Sequence, residues 1–198
     1  MITKVVIENF KKFERAEIEF GLEPVLFVGQ NNGGKTTALQ AVSLWSFLIK
    51  RWQMEKAGSK ATERPGLPIS RNTVSAAPVR DIKMLWHDGS VQDKKNKKIK
   101  ITITAYGKNK DGDWNYGIEA TFANSELLYC NPLDSDINKP VPLEAKNVFH
   151  LPPLSGVQTS EQKRDEAAQQ QAVGEGRPGE ILRNLLLRVQ NERPNEWQ

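Results

Sequence analysis

The sequence predicts an α/β domain with a mixed central sheet and an antiparallel side sheet, and three observations predict it. An apolar run at Val25–Val28 passes through a glycine-rich loop into a long amphipathic helix. Two short β-rich runs, 2–8 and 15–20, precede it, and three more, 98–107, 113–122 and 126–133, follow it. A strand, a glycine loop and a helix in that order make the repeating unit of a sheet with helices packed on its face. With 198 residues, 38% of them hydrophobic, the chain can bury one sizeable core and at most a second small lobe.

Each element has a local reason. "ITKVVIE" is rich in β-branched residues and "RAEIEF" alternates polar with apolar, so the turn "NFKKFE" between them predicts an antiparallel pair. After a turn at Gly21–Pro24, "VLFVG" is apolar at every position, the pattern of a strand buried on both faces. The helix is expected from Lys35 to about Glu55, with Leu39, Val42, Trp45, Leu48, Ile49 and Trp52 on its inner face. Residues 57–78 are dense in Gly, Pro, Ser and Thr and predict a long, flexible surface excursion. Asp111-Gly112 predicts a tight turn between the runs at 98–107 and 113–122. Beyond the run at 126–133, "NVFHL" (147–151) reads as a strand and residues 160–172 as a polar helical segment. A last amphipathic helix spans 180–192, with Ile181, Leu185 and Val189 four apart.

Composition narrows the classes. The net charge of +4 and pI near 9.1 are compatible with a polyanionic partner without requiring one. Cys130 is the only cysteine, which excludes an internal disulfide and a cysteine-based zinc site. The longest apolar stretch, "AVSLWSFLI", is far too short for a membrane span, and the amino terminus has no signal-peptide pattern, so the expected location is cytoplasmic.

The loop carries the chemistry. Gly29-Gln30-Asn31-Asn32-Gly33-Gly34-Lys35-Thr36 fits G-x-x-x-x-G-K-[ST], and it stands between a predicted strand and a helix, the context this motif needs. Glycines allow close backbone approach, and successive N–H groups together with the positive helix end make an anion cradle. Lys35 would reach the β and γ phosphates of ATP, Thr36 would coordinate Mg²⁺, and Thr37 could bond a phosphate oxygen. The fold so predicted is that of a P-loop NTPase. A GTPase would need Asn-Lys-x-Asp, and neither Asn109-Lys110-Asp111-Gly112 nor Asn138-Lys139-Pro140-Val141 has the final aspartate. A hydrolysing ATPase would need a second apolar strand ending in acid. The nearest string, "KMLWHD" ending at Asp88, is broken by His87, so the hydrolysing half is expected to lie outside these residues and this chain to be inactive alone.

"ITKVVIENFKKFERAEIEF" followed by "PVLFVGQNNGGKTTALQAV" resembles the amino-terminal part of the ABC-type ATPase heads of the SMC, RecF and OLD-nuclease group. Asn9-Phe10-Lys11-Lys12-Phe13 and Gly29, Asn31, Gly34, Lys35 and Thr36 occupy the places that carry this resemblance. More loosely, "NVFHLPPLSG" resembles the Q-loop region, with Gln158 as the nearby glutamine, and "GRPGEILRNLLLRV" the start of the helical lobe. The resemblance implies residues 1–158 as a nucleotide-binding half head and 159–198 as the start of that lobe, continuing beyond Gln198 into a signature motif and an acidic strand. It also implies a basic residue beside the nucleotide, which here is Lys11. It implies a homodimer or higher oligomer that sandwiches ATP, acts on DNA or RNA, and can serve anti-phage defence with a nuclease effector. The other class left open is a nucleotide-sensing module without hydrolysis.

Lys12 and Lys11 read equally as solvated turn residues. Lys94, Lys95, Lys97, Lys98 and Lys100 form the densest basic run, a candidate phosphate-backbone contact or a plain solvated loop. Trp45 and Trp52 read as core, and His87 and His150 as ordinary histidines.

Overall fold

The computed structural model describes residues 1–57, 66–74, 76–110, 112–137, 139–142, 145, 148, 160–174 and 178–192. Strands β1 (Ile2–Phe10) and β2 (Phe13–Glu19) form the expected hairpin, pairing Val5 with Ile18 and Phe10 with Phe13. Helix α1 runs Lys35–Ala57. Then come β3 (Leu67–Ser70), β4 (Lys100–Asn109), β5 (Gly112–Asn124), β6 (Leu127–Pro132), α2 (Glu166–Gly174) and α3 (Leu182–Glu192). The strands make one sheet in the order β2-β1-β4-β5-β6-β3, every pair antiparallel.

Alternation decides which face is buried. Ile101, Ile103 and Ala105 of β4, Ile118 and Ala120 of β5, and Leu128 and Cys130 of β6 point to one side and join Val5 and Ile7 in the core. Helix α1 closes that side with Ala41, Leu44, Trp45, Leu48 and Ile49. The Trp45 indole Nε1 donates to the Tyr116 carbonyl at 2.9 Å, and its ring stacks on Trp114 at 6.4 Å between centroids. The buried face of α1 is thus turned from the expected one. Ala38, Ala41 and Leu44 face inward while Leu39 is 48% exposed, because small residues near the helix start let it lie close to the sheet.

Two expectations are corrected. Val25–Val28 is not a strand: the segment is extended, and Val25, Leu26 and Val28 are exposed. An apolar run becomes a buried strand only with a ladder partner, and no described residue pairs with it, so the parallel member of the expected mixed sheet is missing from this antiparallel one. The excursion at 57–78 contains β3, with Leu67 and Ile69 buried. Its Pro68 is tolerated because β3 is the sheet edge. Residues 58–65, Asp111, His150 and Gln158 lie outside the described residues, as does most of the "NVFHL" run. The predicted acidic-strand string around Asp88 forms two 3-10 turns, Ile82–Leu85 and His87–Gly89.

Toward the carboxyl end, α2 and α3 build a separate small cluster of Ala172, Ile181 and Leu185. Glu161 holds the start of α3 by accepting from the backbone N–H groups of Arg183 at 2.8 Å and Asn184 at 2.7 Å. Those bonds to the first turn pull its carboxyl below the ordinary value against a desolvation that pushes it up.

Candidate nucleotide site

The glycine loop leads directly into α1: the Ala38 N–H donates to the Gly34 carbonyl at 2.9 Å, the first helical bond. No acidic side chain stands in the first turn of α1, so its free N–H groups and dipole are uncompensated. Backbone conformation explains the residue types. Gly34 has φ +94° and packs so tightly on the Phe13 ring that an added methyl would lie 2.9 Å from Cε1 and Cζ. Asn32, at φ +64°, is one of the residue types that tolerates the left-handed region. Within the loop, the Gly33 N–H donates to the Gln30 carbonyl at 3.1 Å.

The Lys35 ammonium folds back on the loop, donating to the carbonyls of Gly29 at 2.8 Å and Gln30 at 2.7 Å. The Lys12 ammonium donates to the Asn32 carbonyl from the opposite side. Two cations therefore sit on the carbonyls of a loop whose glycine and left-handed positions suit an anion cradle. Gly29 to Asn32 and Thr36 are exposed, and Thr37 is half-buried. Among the described residues no cluster of His, Cys, Asp and Glu could hold a metal. Thr36, in the exposed first turn of α1, is where a divalent ion carried by phosphates would find a hydroxyl.

A cleft of about 1030 Å³ opens beside the loop. Asn32 and Thr37 form its loop wall, Lys11 and Lys12 a second wall, and Arg80 and Lys83 belong to a third, from the segment 78–89. The structure brings Lys11, Asn32 and Thr37 together as the sequence predicted, and it adds Lys12, Arg71, Arg80 and Lys83, which face Asp81 and Asp88. Sequence reasoning missed Arg71, Arg80 and Lys83 because they are isolated cations in an irregular segment. Asn31 is exposed beside the cleft and does not line it.

The β1–β2 turn is held in place by contacts that its motif explains. Asn9 and Lys11 take left-handed φ of +55° and +48°. The Asn9 amide donates to the Lys100 carbonyl at 2.9 Å, and the Lys11 N–H to the Leu85 carbonyl at 2.8 Å. His87 Nδ1 lies 3.0 Å from the Lys11 carbonyl, which can only accept, so that nitrogen carries the proton. Phe10, between the two left-handed residues, is fully buried. The Lys11 ammonium reaches Gln40 Oε1 on α1 at 2.8 Å, and burial pushes its pKa down to about 8.

The basic run is a turn in which Asp93 accepts from the N–H groups of Lys95 at 2.8 Å and Lys97 at 2.9 Å. Lys100 pairs with Glu119 at 2.7 Å, while Lys94, Lys95, Lys97 and Lys98 are exposed. No helix among the described residues is long and apolar enough to cross a membrane.

The family model for the AAA ATPase domain matches residues 1–167. The DNA replication and repair protein RecF of Leptospira biflexa serovar Patoc, in both the Ames and Paris forms of strain Patoc 1, is 38% identical over 47 residues. That stretch is 24% of this chain and spans only 13% of those relatives. A solved chain described as "Structural biochemistry of ATP-driven dimerization and DNA stimulated activation of SMC ATPases" aligns over 75% of this chain and 80% of its own. It is 16% identical with a TM-score of 0.41, too loose a likeness to bear on mechanism.

Proposed function

This chain belongs to the AAA ATPase domain family, and from that premise we propose that Gly29–Thr37 binds Mg·ATP. One observation carries the reading: the Lys35 ammonium, with no carboxylate to pair with, is parked on the carbonyls of a glycine loop that ends at the start of α1, beside a cleft walled by cations. A polyphosphate offers that ammonium a charged partner in place of two neutral dipoles, and the N–H groups of Gly33 to Thr36 offer the phosphate oxygens donors. Thr36 is the proposed protein ligand of Mg²⁺, which when bound supplies positive charge between phosphate oxygens. Lys11, half-buried against Gln40, sets the position of the cleft wall.

The whole protein, in this reading, hydrolyses ATP and uses it to join a second subunit, with the cleft covered in the assembly. Residues 159–198 then begin a helical lobe. A nucleic acid is the proposed partner, met by the exposed lysines between 94 and 98, and the proposed setting is the cytoplasm. An OLD-type role in anti-phage defence with a nuclease effector is the furthest extension, and it rests on the resemblance of "NFKKF" and the loop.

Titration calorimetry with Mg·ATP on wild type and Lys35→Ala tests the reading. Lys35→Ala should abolish binding while thermal unfolding stays close to wild type, since the lysine packs on no core residue. Equal affinities would remove the phosphate-loop role.

A further inference from the structure

Resting on the phosphate-loop reading above, we propose that Lys12 is a second polyphosphate ligand, supplied to the loop by the β1–β2 turn, and that Lys11 acts only by positioning that turn. The two neighbouring lysines have opposite environments. Lys11 is two-thirds buried, donates to Gln40 Oε1 at 2.8 Å, and has its backbone tied to Leu85 and His87, so its ammonium is committed to α1. Lys12 lies on the exposed side of the same turn, lines the cleft, and places its ammonium on the Asn32 carbonyl of the glycine loop.

A neutral carbonyl is a weak partner for an ammonium, and Lys12 makes no ion pair among the described residues. The contact fixes where the charge waits: on the rim of the loop, facing Thr37 across the cleft. Its neighbour Phe13 lies against Gly34, so the turn forms part of the phosphate site's wall and cannot swing away without opening that packing. When a polyphosphate enters, Lys35 and Lys12 exchange three loop carbonyls for phosphate oxygens, one from each side of the loop. The exchange needs rotation of side chains only. The ligand class follows from this charge count: two ammonium groups plus the helix end favour a di- or triphosphate over a monophosphate.

Calorimetry with Mg·ATP, ADP and AMP on the purified chain tests the proposal in wild type, Lys12→Ala, Lys12→Arg and Lys35→Ala. Lys108→Ala, which removes the same charge at the opposite end of β1, is the control. Lys12→Ala should weaken Mg·ATP about tenfold, the loss of one charge-assisted contact, and flatten the salt dependence. Lys12→Arg should recover most of the affinity, Lys108→Ala should match wild type, and AMP should bind far more weakly than ADP. If wild type binds, Lys35→Ala does not, and Lys12→Ala equals wild type, the assignment of Lys12 is wrong and the loop reading stands. If Lys108→Ala weakens binding as much as Lys12→Ala, the effect is net charge and the assignment again fails. If wild type and Lys35→Ala bind equally or not at all, the loop reading itself falls.

Discussion

Replacing Gly34 by alanine should destabilise the fold through two separable effects. At φ +94° an L side chain is strained, an effect of about 1–2 kcal/mol. The new methyl would also meet Phe13 Cε1 and Cζ at 2.9 Å, well inside van der Waals contact, and overpacking of that kind adds about 1–3 kcal/mol. Phe13 is only half-buried, so it can give way and the lower part of that range applies. Gly29→Ala is the matched comparison, because Gly29 also has a positive φ, +148°, but a methyl there meets nothing within 4 Å. The difference between the two variants, about 1–2 kcal/mol, isolates the Phe13 contact. Urea unfolding followed by tryptophan fluorescence reads it as a midpoint shift of roughly 0.5–1 M between the variants. In a Phe13→Ala background the extra loss at Gly34 should vanish. Equal midpoints for Gly34→Ala and Gly29→Ala would refute the claim that the turn packs into the phosphate site.

Lys11 gives a pH prediction. Its folded pKa of about 8 lies below the ordinary 10.5, so between those values the folded chain binds fewer protons than the unfolded one and stability rises with pH. The stability of wild type relative to Lys11→Met should therefore climb from pH 8 toward 10.5 in urea titrations; a flat difference would place the ammonium in water. Cys130 is fully buried, and burial pushes its thiol up to about 12. An aromatic disulfide reagent at pH 8 should leave the native protein unmodified for hours and titrate one thiol in guanidinium, whereas rapid reaction of the native protein would contradict the packing of β6 against α1.

What the sequence disclosed was local. The hairpin, the loop with its helix, and the meander of β4, β5 and β6 all follow from period-two alternation and a fixed motif, signals that sit within a few residues of one another. Val25–Val28 was misread because being a strand is a property of a partner as well as of a run. Strand β3 was hidden in a Gly- and Pro-rich stretch because an edge position tolerates Pro68. The face of α1 was misplaced by one residue because large side chains drew attention from Ala38 and Ala41, whose smallness brings the helix close. In the site, the loop was legible by its spacing and Lys11 by resemblance. The wall of Arg80 and Lys83 required the 3-10 turns that aim it, and no periodicity announces those.

The strand order carries a consequence for synthesis. Strand β1 lies between β2 and β4, and Val5 is opposite Ala105 on one side and Ile18 on the other. On a ribosome the β1–β2 hairpin is complete after the first twenty residues, yet its second neighbour is made about a hundred residues later. At roughly 5–20 residues per second that is a wait of about 5–20 s, during which one edge of β1 offers open backbone groups and Val5, Ile7 and Phe10 lack most of their core. Helix α1 emerges within that interval and can cover the apolar face, but it has no hydrogen bonds to give the strand edge. The nascent chain is thus most vulnerable to pairing with a stranger before β4 arrives, and slowing translation between α1 and β4 should lower the soluble yield more than slowing it after β6.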